Sequence, residues 1–211
     1  MRAAKAAGII AMLAAVGPFG AGVSEMTAAP IEARALIALT RETRATYTVV
    51  GSTLIYLPDG TQVREWAAEF HDGIHHRVET PRDRAIADCD AMTGVHLNVT
   101  TVEVTEEPGV ALAACGVQAH SKILSARLGG TRQTRFGPAM HLVIVDETDI
   151  RTYDVAPDGA LLNATITGRD GTRKLVMRAV HYAADVPAGI FTASSLGRSA
   201  VPANLRGSGT P

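Results

Sequence analysis

Four Asp-Gly dipeptides, Asp59-Gly60, Asp72-Gly73, Asp158-Gly159 and Asp170-Gly171, each lie between runs rich in Val, Ile, Thr and Tyr. Glycine takes the positive φ that a tight hairpin turn demands, and β-branched residues fit a pleated surface. Each pair therefore predicts a β-hairpin. Met92-Thr93-Gly94 reads as a fifth turn. Between the turns the pattern predicts strands over 46–57, 61–71, 74–80, 83–89, 94–105, 140–146, 149–155, 160–168 and 172–182. So many hairpins in one chain point to a large antiparallel sheet.

Helical patterns precede and interrupt these strands. Over Ala29 to Arg44, Ile31, Ala35 and Leu39 recur every four residues, with Leu36 beside them and Pro30 near the start, where proline is tolerated. Glu106-Glu107-Pro108-Gly109 breaks the strand pattern. Gln118 to Leu128 then predicts a second helix with Ile123, Leu124 and Leu128 on one side, and Gly129-Gly130 reads as its stop.

The chain begins with Arg2 and Lys5, an apolar run from Ala6 to Val16, and the small-residue stretch Gly17 to Gly22. This order predicts a signal peptide over 1–22, a single β domain over 23–195, and a flexible Ser/Gly/Pro-rich tail over 196–211. The apolar run is shorter than the roughly 20 residues a membrane-spanning helix needs, and no second run is long enough. The expected location is periplasmic or secreted, with no integral membrane span in the mature chain. In an oxidising compartment Cys89 and Cys115 are read either as a disulfide closing a loop of 26 residues or as two separate apolar fillers. The net charge of -1 supplies no basic excess for phosphate contacts, so nucleic acid is not an expected partner.

A long antiparallel sheet must cover its apolar face. With two helical segments available, curling around helices is the expected solution. At 4% aromatic residues the interior is built from Val, Leu, Ile and Ala, and a curled sheet of that kind leaves a cavity. The strand stripes nominate Leu54, Trp66, Phe70, Leu142, Ile144, Leu162, Ile166 and Met177 as its lining. The competing reading makes them plain core residues.

Catalytic signals are thin. His71, His75 and His76 surround the Asp72-Gly73 turn, but adjacent strand residues face opposite sides, so His75 and His76 cannot converge easily. A structural or surface role is expected for them, with no metal. Asp88 and Asp90 flank Cys89 and share a face, which reads as a solvated face. No Gly-x-Ser-x-Gly elbow and no Gly-rich phosphate loop is present, so no catalytic residue and no cofactor is assigned.

The order of parts resembles the periplasmic LolA/LolB-like lipoprotein-carrier superfamily. The segment from Tyr153 to Leu161 resembles a hairpin of that family, followed by Gly168 to Thr172 and a strand ending at Tyr182. Asp185 to Phe191 resembles the family's closing Val-Pro-x-x-x-Phe pattern. Ile123 to Arg127 sits where the family has a mid-chain helix, and Ile74 to Asp90 resembles its paired strands. The likeness implies an α+β fold: a curled antiparallel sheet forming an unclosed half-barrel, with an N-terminal helix and a mid-chain helical plug or lid. It implies an apolar cavity for acyl chains and an arginine at the cavity mouth. Arg77 is the nearest candidate, although Val78 follows it where the chaperone pattern has proline.

The leading functional expectation is an exported binding protein that holds a lipid, an acyl chain or a lipidated protein. One alternative is an envelope protein-interaction or stress-sensing module with the same fold and an envelope protein as partner. A second is a metal-dependent enzyme using the His71–His76 region.

Overall fold

The structure is a computed structural model that describes Ala33 and residues 45–115 and 123–207. Its eleven strands form one antiparallel sheet in the order β6-β5-β4-β3-β2-β1-β11-β10-β9-β8-β7. The strands are β1 (Thr46–Tyr56), β2 (Gln62–Asp72), β3 (His75–Glu79), β4 (Asp83–Asp88), β5 (Thr93–Asn98) and β6 (Glu103–Glu106), then β7 (Ile123–Thr134), β8 (Gly137–Asp146), β9 (Asp149–Val155), β10 (Leu161–Gly168) and β11 (Arg173–Ala183). Two meanders thus meet at a central seam, where Thr48 pairs with Ala183 and Ile55 with Leu175. The outer strands β6 and β7 do not pair with each other, so the sheet is an unclosed half-barrel.

Three of the Asp-Gly turns use one device. The carboxylates of Asp59, Asp158 and Asp170 each accept a hydrogen bond from the backbone N–H two residues on, at 2.9, 3.1 and 2.9 Å. The following glycines take φ of +82°, +95° and +87°. The side chain thereby mimics a backbone turn, and glycine alone adopts the required φ without strain.

The middle of the chain departs from expectation. The predicted strand over 94–105 is two strands, because the Asn98 side chain accepts from the N–H groups of Thr100 and Thr101 and turns the backbone. Among the described residues the helix here is α1 (Pro108–Ala114); of the helix expected over Gln118 to Leu128, residues 118–122 lie outside the described residues and 123–128 are strand. Residues 123–128 begin β7, with Ala126 buried and Ser125 and Arg127 exposed, an alternation of period two. Gly129-Gly130 is not a helix stop but a bulge in the β7–β8 ladder, with Gly130 at φ +85°. Helix α1 packs closely on β5: a Cβ at Gly94 would lie 2.8 Å from the Ala111 nitrogen. The disulfide Cys89–Cys115 ties the end of that helix to the β4–β5 turn.

The tail also departs from expectation. Residues 193–197 form a 3-10 turn and α2 (Ala203–Arg206) follows. Ile190 and Val201 pack against Val50, Ala68 and Phe70, and Leu196 packs against Ile86 and Leu97. A strap therefore covers β1 to β5 on one face, where a flexible tail from residue 196 was expected. Its polar groups are held as firmly as its apolar ones, through Arg77 and Glu79. The predicted signal peptide and the predicted helix over 29–44 lie outside the described residues, apart from Ala33, which is helical and buried.

Candidate functional site

Cross-strand partners share a face, so the register places side chains without further assumption. One row runs Ile55, Leu175, Ile166, Arg151, Ile144, Ala126 across β1, β11, β10, β9, β8 and β7. The next row runs Thr53, Met177, Ala164, Tyr153, Leu142, Leu128. The members of these two rows other than Thr53 and Arg151, with Val155, Leu161 and Ala33, form one apolar cluster. Arg151 is the charged member of the rows, and its guanidinium meets Asp146 at 2.6 Å. Burial raises the Tyr153 phenol to about 12, against the opposing pull of Arg151.

Leu142, Ile144, Ile166 and Met177, four of the residues nominated from sequence, lie in these rows. Leu162 sits at a register shift between β10 and β9 and joins an adjoining cluster with Tyr47, Val49 and Ala179. Leu54, Trp66 and Phe70 do not join them. Phe70 pairs across from Thr48, and Trp66 from Ser52, on the opposite face, where Phe70 lies under the strap. Leu54 is half-buried on that face too. Arg77, expected at a cavity mouth, lies on the face that the strap covers. It is 0% exposed on the strap side, where its nitrogens donate to Glu79, Ser195 and the carbonyls of Ile190 and Arg198. Alternation along β3 sets this placement, since Arg77 shares its row with Phe70 and Ile86.

On the face of the two apolar rows, the far end of β1 carries a polar knot. Tyr47, His71 and His76 form one cross-strand row, and Glu69 lies in the next. The Tyr47 hydroxyl donates to Glu69 Oε1 at 2.8 Å, and its ring stacks on His71 with centroids 5.0 Å apart. The His71 and His76 rings meet at 4.0 Å. Burial raises the Glu69 carboxyl to about 7, with the Tyr47 hydrogen bond opposing, and burial beside His71 lowers His76 to about 3. His75 faces the other way, against Phe191 and 4.0 Å from Asp88. Glu69 was missed in the sequence, although its place two residues before His71 puts it on the same face. Asp88, read from sequence as a solvated residue, caps its turn by accepting from the N–H groups of Asp90 and Ala91.

Two clefts open elsewhere. One of about 390 Å³ lies between His75, Asp88, Met92, Val95, Glu106 and Phe191. The other, of about 310 Å³, lies between Arg64, Arg135, Phe136, Asn163 and Arg178.

No family model matches the sequence, and no curated protein does. Solved structures do match. An uncharacterized conserved protein from Thermus thermophilus superposes with a TM-score of 0.53 at 12% identity, over 83% of this chain and 97% of that one. A LolA superfamily protein from Nitrosomonas europaea gives a TM-score of 0.46 at 8% identity, over 78% of this chain and 99% of that one. The Pseudomonas aeruginosa MucA/MucB complex gives 0.44 at 14% identity, over 77% of this chain and 61% of that one. The Thermus match shows a shared fold and nothing more at that identity. The fold assignment itself rests on the Thermus match and the strand order.

Proposed function

We propose that this chain is an exported, non-catalytic binding protein of the periplasm or the medium. Its ligand is a lipid, an acyl chain or the acyl group of a lipidated protein, laid along the two apolar rows. The observation that carries this reading is the continuity of those rows across six strands of a sheet that does not close. Transfer of an acyl chain from water is worth ~0.8 kcal/mol per CH₂ group, so a surface of Leu, Ile and Met suffices without a catalytic group. Export is supported by the charged, apolar and small-residue order of the first 22 residues and by the disulfide, which persists in oxidising compartments. Among the described residues no helix is long and apolar enough to cross a membrane.

Titration of the purified protein with a fluorescent fatty acid tests this. Ala164 and Ala126 are the small members of the rows, and Ala164→Leu or Ala126→Leu would fill the space the proposed acyl chain takes, at a cost of about 1–3 kcal/mol in packing. Saturable binding that falls at least tenfold in these variants, with the fold intact by circular dichroism and Leu54→Asn unaffected, supports the reading. A folded protein without saturable binding contradicts it. Trp66 lies on the other face and is no reporter for this site.

A second reading, an envelope protein-interaction module, draws on one feature. Among the described residues no strand pairs with the outer side of β6, and Val102 just before it and Val104 within it are 75% and 59% exposed. An open edge of that kind is a template for an added strand from a partner.

A further inference from the structure

We propose that Glu69, His71 and His76 form a binding site for one divalent cation of the zinc, copper and nickel class. The site is separate from the acyl-binding rows and does not depend on them.

The register brings the three together. Glu69 and His71 are two residues apart on β2 and share a face, and His76 lies directly across from His71 on β3. One donor atom from each falls within 4.8 Å of the other two, and Glu69 Oε1 is 3.8 Å from His76 Nδ1. Bonds of about 2.0–2.1 Å in a tetrahedral site hold donor atoms roughly 3.4 Å apart, so closure needs side-chain rotation and no strand movement. All three residues are buried, at 8%, 1% and 8% exposure. His76 Nδ1 is buried without a hydrogen-bond partner, a cost that a bound cation removes. Tyr47 supports the set from outside: its hydroxyl fixes Glu69 Oε1 and its ring stacks on His71. Partners of that kind orient metal ligands.

The donor set decides the class of ion. Two imidazole nitrogens and one carboxylate suit zinc, copper or nickel, whereas magnesium and calcium take oxygen ligands. Access is short, because the His71–His76 pair is one pair removed from the Asp72-Gly73 turn.

The test uses the purified protein with its disulfide intact, stripped with chelator and titrated with Zn²⁺ by calorimetry. The expected result is one equivalent bound, with a rise in melting temperature that chelator reverses. Glu69→Gln keeps the size of the side chain and an acceptor for Tyr47, and His76→Gln removes one imidazole. Each is expected to weaken binding at least tenfold, while His75→Ala, on the opposite face, leaves it unchanged. Should a variant fail to fold, the Co²⁺ form of the unaltered protein carries the test: its visible spectrum is expected to be that of a four- or five-coordinate site. No binding by the folded protein, binding that survives both Gln variants, loss of binding in His75→Ala, or an octahedral cobalt spectrum overturns the proposal.

Discussion

Arg77 and Glu79, two residues apart on β3, form an ion pair 2.6 Å long with both side chains shut away from water. Burying such a pair is costly unless its remaining donors and acceptors are met. Here the strap meets them. Arg77 donates to the Ile190 and Arg198 carbonyls and to the Ser195 hydroxyl, and Glu79 accepts from the Ser199 hydroxyl and the Ala200 N–H.

The strap is therefore part of the fold. Truncation after Gly189 removes Ile190, Leu196 and Val201, each worth about 1.5–3 kcal/mol of burial, and leaves the ion pair without its partners. Glu79→Ala alone is expected to cost about 3–5 kcal/mol, because it strands the buried Arg77 charge. Urea denaturation measures both. A truncated protein with an unchanged midpoint would show that the strap is dispensable.

The disulfide closes a loop of 26 residues around β5, β6 and α1. Constraint of the unfolded chain by a loop of that length is worth about 3–4 kcal/mol. The double variant Cys89→Ser, Cys115→Ser is expected to unfold at correspondingly lower urea. Little change in the midpoint would mean that the bond constrains nothing the helix contacts do not already fix.

Gly94 marks where α1 lies against the sheet. A methyl group there would come within 2.8 Å of the Ala111 nitrogen and 2.9 Å of Val110 Cγ1. Gly94→Ala must push the helix off β5 and is expected to cost about 1–3 kcal/mol. Amide hydrogen exchange is expected to rise in residues 108–114 and to stay unchanged in β8 to β11. Unaltered exchange in the helix would contradict the close packing.

Alkaline stability reports on Tyr153. The fold favours its neutral phenol, with the folded value raised from 10.0 to about 12 by burial. The unfolded chain gives up the proton first, so this group's contribution is complete below about pH 10 and is lost as the pH rises towards 12. Tyr153→Phe cannot ionise, and its urea midpoint is expected to fall less between pH 9 and 11 than that of the unaltered protein. Parallel profiles would mean that Tyr153 titrates as an exposed tyrosine does.

Much of the fold was legible because its turns are local. The Asp-Gly hairpins need only the aspartate, the glycine and the residues beside them. Strand β7 was not legible, because Ile123, Leu124 and Leu128 fit a helical period as well as a strand. What decides it is the long pairing with β8, from Ile123–Asp146 to Thr134–Gly137. The split between β5 and β6 was carried by Asn98, whose signal the neighbouring Val99 and Val102 obscured.

The site was legible in part for a related reason. Alternation tells which residues share a face and leaves open what covers it. Strand β1 is covered on both sides, with Tyr47 and Val49 facing one way and Val50 the other, so both of its stripes look apolar. Trp66 and Phe70 consequently looked like partners of Leu142 and Met177 although the sheet separates them. The strap was hidden because its apolar residues, Ile190, Leu196 and Val201, follow no period and its anchors sit more than a hundred residues away.

The central claim is that an acyl chain lies along the rows built by Ile166, Met177, Leu142 and Ile144. A fatty acid with a photoreactive group at its tail, bound to the intact protein and irradiated, reports this directly through mass spectrometry of the labelled peptides. The account predicts saturable labelling within β8 to β11 at these residues, competed away by unlabelled fatty acid. Labelling of Trp66 or Phe70, labelling confined to the β6 edge, or labelling that never saturates would contradict it.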